Sequence, residues 1–484
     1  MASNNLSGKI LSGMAWTYFE RLLSQGVSVL VTIILARLLL PEQYGVVSIV
    51  TVFITLCDAL VVGGFSDTLI QKRGADQLDF STLFWFVLVL GIVMYGVVFT
   101  LAPYIQLFFK NTSLVCETLR VMAIRIPINA VQSIQSARIS KRMEYRYFFF
   151  ANLAGTLASA LVGIYMAFAG FGVWALVAQY LISSFVGTLV IWFSCGWRPD
   201  FAFSAERLKY LYSVGWKMQC SSLLAAFYGE LESICIGKKY TAADLAFYDK
   251  GKQFPRLIME NVQTTISKVM LPAFSTENND IAAMKALAKR SIRIGTFVIS
   301  PLLVGLIMCA DEFVHIVLTE KWMASVPFLR LICLYYILQP LMTLNKQIVI
   351  AVGQTKLYLM MEIQKKLIGI FLLCVALFAS DSVLMIAVSS FINQCIGLVI
   401  QSYPLKRIIN YPIAEQLSDF LPALISAALM AAAVWCVGLL PLPTFLILVV
   451  KIAVGIAVYV LIALITKNES FTFLLNTLKK VLHK

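Results

Sequence analysis

Apolar stretches of about twenty residues follow one another along almost the whole chain. A helix needs about 20 mainly apolar residues to cross the hydrocarbon core of a bilayer. Fourteen stretches meet that need, near 13–39, 45–66, 81–103, 113–136, 147–169, 172–194, 213–236, 245–271, 291–310, 325–351, 356–378, 382–402, 418–438 and 443–466. Most are separated by breakers such as Pro41, Pro103, Gly170, Gly172, Pro199, Pro404, Pro412, Pro441 and Pro443. The eighth is the least apolar, because it holds Asp249, Lys250, Lys252, Arg256 and Glu260. Across 484 residues, 60% are apolar and only 13% charged, and mean hydropathy is +0.85. A water-soluble chain carries about 45–50% apolar and roughly 25% charged residues. Too little polar surface remains here for a cytosolic enzyme, a nucleic-acid-binding domain or a secreted disulfide scaffold. The fold class expected is an all-α polytopic membrane protein.

Lys and Arg exceed Asp and Glu by 39 to 25, a net charge of +14. In a membrane protein that excess marks cytoplasmic loops. With the N-terminus inside, cytoplasmic connections hold Lys9, Lys72, Arg73, Arg138, Lys141, Arg142, Arg146, Arg198, Arg207, Lys209, Lys285, Lys289, Arg290, Arg293, Lys356, Lys406, Arg407, Lys467, Lys479, Lys480 and Lys484. Outward connections hold only Arg37, Lys110, Lys238, Lys239 and Lys321. One missed helix would invert every later loop, so the bias argues for an even count with both termini cytoplasmic. The start, with its single Lys9 and no small-residue cleavage site after the first apolar run, reads as an uncleaved helix rather than a signal peptide. All loops are short, the longest near 272–290, so the function is expected inside the membrane.

The ten cysteines are scattered singly, with no CxxC, and read as small apolar residues packed between helices. The two histidines, His315 and His483, are far apart and offer no ligand cluster. No metal and no cofactor are expected.

The chain resembles itself at a spacing of about 200 residues. Ser12-Gly-Met-Ala-Trp16 matches Ser213-Val-Gly-Trp216, and the turn at 36–45 matches the turn at 237–246. Six spans separate the copies, so both share one orientation. This predicts two parallel six-helix lobes, 1–200 and 201–410, with two further helices and a cytoplasmic tail in 411–484, around a central cavity.

Polar residues form stripes on several spans. Span 2 carries Ser48, Thr51, Thr55 and Asp58 on one face, and span 8 carries Asp249, Lys252, Gln253, Arg256, Glu260 and Gln263. Span 1 offers Arg21, Gln25, Ser28 and Thr32; span 4 offers Arg125, Asn129, Gln132 and Ser136; span 7 offers Lys217, Ser221, Tyr228 and Glu232. An ionisable side chain facing lipid costs about 2.5–3.5 kcal/mol or more, so the stripes are expected to face the cavity or one another. Arg21 and Glu20 lie roughly 10 Å in from the cytoplasmic edge at the helical rise, and Asp58 reaches a similar depth. An Arg21–Asp58 or Arg21–Glu20 pair is reasonable, as is a pairing of Glu232 with Lys252. Each pair is either structural or a place where Glu20, Asp58, Glu232 or Asp249 takes up H⁺ or Na⁺ during transport. Lys365 and Lys366 are expected to snorkel. Lys451 is expected to be structural, and His315 to be an outer-rim residue beside Asp311 and Glu312.

Several segments resemble one family. They are Gly13-Met-Ala-Trp-Thr-Tyr-Phe-Glu-Arg21, Ile34-Leu-Ala-Arg-Leu-Leu-Leu-Pro-Glu-Gln-Tyr-Gly45, Gly64-Phe-Ser-Asp-Thr-Leu-Ile-Gln-Lys72, Asp79-Phe-Ser-Thr82 and Gly170-Phe-Gly-Val-Trp-Ala-Leu-Val-Ala-Gln179. Leu271-Pro-Ala-Phe-Ser275 and Lys321-Trp322 with Pro327 continue the match. The chain looks like the Wzx-type polysaccharide exporters, flippases of the multidrug/oligosaccharidyl-lipid/polysaccharide (MOP) superfamily. The resemblance implies a flippase rather than an enzyme. It would move an undecaprenyl-diphosphate-linked oligosaccharide from the cytoplasmic to the periplasmic leaflet of a bacterial inner membrane, with other polysaccharide-assembly membrane proteins as partners. It also implies basic cavity residues on the diphosphate and coupling to an ion or potential gradient. Arg21, Lys217, Lys252, Arg256 and Arg125 fit the first role by chemistry. The acidic residues Glu230, Glu232, Asp249 and Glu260 depart from a purely cationic cavity. The alternatives are a multidrug exporter of the same superfamily and a membrane enzyme of the same pathway, such as a polymerase, ligase or acyltransferase.

Overall fold

The computed structural model describes residues 25–482 apart from 110, 111, 113 and 277–279. All regular structure among them is helical. Chain contacts divide the protein into two compact units, Met1–Ala246 and Phe247–Lys484.

The first unit contains α1 (Gln25–Leu38), α2 (Pro41–Val61), α3 (Phe65–Gln71), α4 (Gln77–Phe108), α5 (Val115–Met122), α6 (Arg125–Arg142), α7 (Arg146–Phe168), α8 (Val173–Ser194) and α9 (Ala205–Lys239). It ends in the first residues of α10 (Ala242–Thr276). The second unit holds the rest of α10, then α11 (Ile281–Met308), α12 (Ala310–Val317), a 3₁₀ turn (Glu320–Ser325), α13 (Val326–Ile337) and α14 (Gln339–Ala351). It continues with α15 (Thr355–Ala379), α16 (Leu384–Ser402), α17 (Leu405–Ile408), α18 (Ile413–Val437), α19 (Thr444–Ile465) and α20 (Glu469–Leu482).

Nine helical segments among the described residues are long and apolar enough to cross a membrane, the most apolar being α19 with a mean hydropathy of 2.8. Apolarity alone therefore does not give the expected fourteen. The described part of α1 is short. The pair α5–α6 and helices α9, α10 and α15 carry charges along their length. The outer faces suit lipid: Phe378 is 91% exposed, Leu161 and Phe193 73%, and Tyr165 and Ile465 71%. Water would not tolerate that much continuous apolar surface.

The cysteines depart from expectation. All ten are free, but Cys57, Cys195, Cys309 and Cys333 are buried while Cys220, Cys374 and Cys436 are exposed. The exposed three lie on α9, α15 and α18, where a thiol is apolar enough to meet lipid.

Helix α9 packs with the first unit, against α2, α3 and α4, although the repeat in the sequence places it at the head of the second lobe. Two features seat it. Gly64 breaks α2 from α3 with φ of 83°, and a Cβ there would come 2.5 Å from the Gln219 backbone nitrogen. The Gln219 amide in turn donates to the Ala59 carbonyl at 2.7 Å. At the other end of α2, a Cβ on Gly45 would fall inside the Ala242 backbone carbonyl that opens α10.

A polar clasp holds the start of α9. The Asp79 carboxylate is wholly buried at the head of α4. It accepts from Lys72 Nζ at 2.6 Å and from Arg207 Nη1 at 3.0 Å. Asp76 caps α4 through the Asp79 amide at 3.0 Å and lies 3.1 Å from the same guanidinium. Lys141 Nζ donates to the Lys72 and Leu69 carbonyls at 2.6 and 2.9 Å. Burial pushes the Lys141 ammonium down from the usual lysine range, and the Asp79 hydrogen bond holds Arg207 up. The connection from α8 to α9 is tied to the same helix end: Ser81 Oγ and Thr82 Oγ1 accept from the Asp200 and Ser204 amides at 2.9 and 3.2 Å, and Trp85 Nε1 donates to the Asp200 carbonyl at 2.9 Å.

The clasp makes Asp79 sensitive. Asp79→Asn leaves two cations facing a neutral amide, a loss of about 1–3 kcal/mol after solvent takes up part of the exposed Arg207 charge. A clear fall in melting temperature of the purified protein is expected, with Asp67→Asn unchanged. Gly45→Ala forces α2 off α10 and costs about 1–3 kcal/mol or more. Gly96→Ala, with open space around it, leaves the melting temperature as it is.

Candidate functional site

In the first unit, α2 and α6 keep their polar stripe residues partly open while many of their apolar residues are buried. Val47, Ile49, Val50, Val52 and Ile54 are buried, whereas Ser48, Thr51, Thr55 and Asp58 remain partly open. On α6 the same holds: Ile126, Ala130, Ser133 and Ile134 are buried, and Arg125, Asn129, Gln132 and Ser136 are partly open. The polar stripe residues are thus partly open, as are the apolar residues Phe53 and Leu56 of α2 and Ile128 and Val131 of α6.

The two stripes meet at Asp58. Asn129 Nδ2 donates to its Oδ2 at 2.9 Å, while Asp58 Oδ1 is buried without a hydrogen-bond partner among the described residues. Arg125, one turn from Asn129, is its charged neighbour. The Arg125 guanidinium stands 5.9 Å from the Tyr180 ring of α8, and its Nε is also buried without a hydrogen-bond partner among the described residues. Gln132 accepts from Thr188 of α8 at 3.3 Å. A carboxylate and a guanidinium thus sit among amides and a phenol with hydrogen-bonding capacity left over. Glu20 and Arg21 lie outside the described residues, and so does the Arg21–Asp58 pair expected from the sequence. On α9, Lys217 is exposed, and Glu230 and Glu232 are partly buried.

In the second unit, α10 is amphipathic by side-chain packing. Gly251 lets it close on α13, where a Cβ would come 2.7 Å from Phe328. Tyr248 meets the Phe328 ring at 5.8 Å, and Phe254 meets Phe313 at 4.9 Å, both edge-on. The opposite side carries the charges. Lys252 is partly open with its Nζ 5.5 Å from the Tyr248 ring, and Asp249 is partly open beside it. Arg256 and Glu260 are exposed and form a one-turn ion pair of 2.6 Å. Arg256 therefore reaches any ligand together with a carboxylate.

Lys250 was visible in the sequence only as a charge that weakens span 8. It is buried, with Nζ 3.2 Å from Gln253 Oε1 and 5.6 Å from the Trp322 ring. Its signal was its place on the apolar arc of Phe247 and Phe254.

Lys365 corrects an expectation. It does not snorkel: its Nζ donates to Gln394 Oε1 at 2.8 Å, and Gln394 Nε2 donates to Gln339 Oε1 at 2.6 Å. The side chain runs inward over Gly397, whose missing side chain leaves it room. Nearby, Lys346 pairs with Glu362 at 2.6 Å. Lys451 is structural, as its position suggested, bonded to Glu312 at 2.5 Å and to the Met308 carbonyl at 3.2 Å. Arg330 takes Asp311 at 2.6 Å. His315 is left with Glu320 at 3.3 Å, so it does not converge with Asp311 and Glu312 on one catalytic cluster.

Known proteins share this architecture. The fold is similar to that of a lipid II flippase, MurJ, in an inward closed conformation, with a TM-score of 0.77 and 14% identity over 94% of this chain and 98% of that one. An inward-facing multidrug resistance MATE transporter of the MOP superfamily follows, with a TM-score of 0.63 and 17% identity over 80% of this chain and 96% of that one. In sequence, the chain is 23% identical over 359 residues to the teichuronic acid biosynthesis protein TuaB of Bacillus subtilis, 73% of each chain. It is 24% identical over 339 residues to the lipopolysaccharide biosynthesis protein WzxC of Escherichia coli, 69% of this chain and 68% of that one. Residues 34–327, more than half of the chain and inclusive of Asp58, Arg125, Lys217, Lys252 and Arg256, match the family of polysaccharide biosynthesis proteins, and this multi-pass membrane protein belongs to that family.

Proposed function

We propose that this protein is a flippase for a lipid-linked oligosaccharide. It moves an undecaprenyl-diphosphate-linked repeat unit from the cytoplasmic to the periplasmic leaflet of a bacterial inner membrane, for assembly of a cell-surface polysaccharide. The single observation that carries the reading is membership of the polysaccharide biosynthesis family by a chain whose charged side chains lie on its apolar helices. Relatives named for teichuronic acid, succinoglycan transport and lipopolysaccharide agree with it. In this reading fourteen spans form two six-helix lobes and two added C-terminal helices, with both termini cytoplasmic. The 21-to-5 split of basic residues between the two sets of loops supports that orientation.

The proposed mechanism follows from charge. A lipid diphosphate carries about two negative charges toward an interior that solvates them poorly, and cations must replace the lost water. Arg binds phosphate oxygens with a planar fork and Lys acts as a point charge. Arg21, Arg125 and Arg256 are proposed to hold the diphosphate, assisted by Lys217 and Lys252. Glu20, Asp58, Glu232 and Asp249 are proposed to carry H⁺ or Na⁺ in the coupling step. Asp58 beside Arg125 gives the N-terminal cation a local counter-charge when no substrate is bound. No covalent bond changes in this cycle; the headgroup exchanges one set of hydrogen bonds for another.

Deletion of the gene is expected to accumulate one lipid-linked glycan on the cytoplasmic leaflet, and its composition names the substrate. Neutral variants Arg21→Gln, Arg125→Gln and Arg256→Gln are expected to insert normally and to lower export at least tenfold, with the Lys variants restoring part. Wild-type export by all three neutral variants would remove the diphosphate from this site. Accessibility gives a second test. On a background without native cysteines, Thr51→Cys, Thr55→Cys and Arg256→Cys are expected to react with a polar thiol reagent, while Leu161→Cys and Phe378→Cys stay inert.

A further inference from the structure

A second basic site lies away from these stripes. Where α20 meets α11 there is a cavity of about 450 Å³. Lys289, Arg290, Arg293 and Ile294 line it from α11, and Glu469 and Phe473 from α20. The spacing explains the convergence, since positions 290, 293 and 294 fall on neighbouring rows of one helical face.

The three cations are held differently. Arg293 is fixed by Asp419 of α18 through two contacts of 2.7 and 2.9 Å, with a looser one of 3.3 Å to Glu469. Lys289 shares Glu415 with Lys285. Arg290 meets no carboxylate among the described residues; its guanidinium lies 4.2 Å from the Phe473 ring centre. A ring face neutralises part of a cation's field but accepts none of the in-plane N–H donors. Those donors remain for an acceptor in the cavity. The Glu469 carboxylate is 87% exposed, so an incoming anion displaces it at small cost.

We propose that this cavity binds the phosphodiester headgroup of an anionic glycerophospholipid, in the cytoplasmic leaflet in the orientation given above. Phosphate suits one forked guanidinium and two flanking cations. Lipid, rather than free phosphate, suits the position: the cavity opens at the end of a membrane-spanning helix, and Phe473 and Ile294 give an apolar wall for the glycerol and the first acyl carbons. Basic pockets between helices at the cytoplasmic surface select anionic headgroups in the same way. The bound lipid would tie α20 to α11 through charge, independent of any glycan substrate.

The test uses the full chain purified in detergent. Native mass spectrometry counts bound phosphatidylglycerol and phosphatidylcholine for the wild type, Arg290→Gln, Arg290→Lys and Phe473→Leu. Preferential retention of phosphatidylglycerol is expected. Arg290→Gln should weaken it roughly fivefold, the worth of one basic residue at an anionic surface. Arg290→Lys keeps the charge without the fork and should fall between. Because Arg290 is exposed and makes no ion pair among the described residues, the lipid-free variants should melt with the wild type, which separates lost binding from lost folding. Equal retention of both lipids, or retention unaffected by Arg290→Gln, overturns the proposal. So does displacement of the lipid by millimolar inorganic phosphate with no preference left for the lipid, or loss of undecaprenyl diphosphate binding alone in Arg290→Gln. These outcomes are read without transport, so they stand apart from any failure of the flippase reading.

Discussion

A charge on a membrane-spanning helix has to be answered by the protein, because lipid cannot answer it. At about 2.5–3.5 kcal/mol for an unanswered side chain at the helix centre, a few errors would exceed the stability of a typical domain. The described structure uses three kinds of answer. Some charges meet an opposite charge, as in Lys451 with Glu312 and Arg330 with Asp311. Amide-lined charges are solvated by side chains, as in Lys365 with Gln394. The third kind is a carboxylate beside a guanidinium: Asp58 and Arg125 each keep a buried polar atom without a hydrogen-bond partner among the described residues, as does Glu312 at Oε2. Polar groups left short in this way are expensive.

The same economy explains why α9 needs a clasp. Only five of its thirty-five residues are buried, so apolar packing within its unit holds it weakly. Its first turn is instead fixed by Arg207 on the buried Asp79, and its middle by Gln219 on the kink between α2 and α3. Exposed Lys217 and the partly buried Tyr228 and Glu232 share one face of this helix.

Much of the architecture was legible in the sequence because one solvent, lipid, acts on every helix alike. Apolar runs marked the helices, and the polar residues of the period-3.6 stripes on α2 and α6 are partly open. The turn at Gly45 and the segment at Asp79 carried the family resemblance. What stayed hidden depends on distant partners. Asp79 and Arg207 are 128 residues apart, and nothing in either neighbourhood points to the other. Lys365 looked like a snorkelling residue because its acceptor, Gln394, belongs to another helix. Arg256, read as a cation for the diphosphate, pairs with Glu260 of the same face, one turn away at helical spacing. The apolar count of nine among the described residues leaves out the short described part of α1 and the helices that carry charges along their length, α5–α6, α9, α10 and α15.

The central claim is that intramembrane charge here serves the passage of an anionic lipid headgroup. The direct measurement is transbilayer movement of a lipid-diphosphate-linked oligosaccharide in vesicles containing the purified protein. Appearance of the glycan on the far leaflet is read by a membrane-impermeant glycan-modifying reagent. Movement well above that of protein-free vesicles, and lost with Arg125→Gln, is the expected result. Movement no faster than in protein-free vesicles, under any imposed H⁺, Na⁺ or potential gradient, would contradict it.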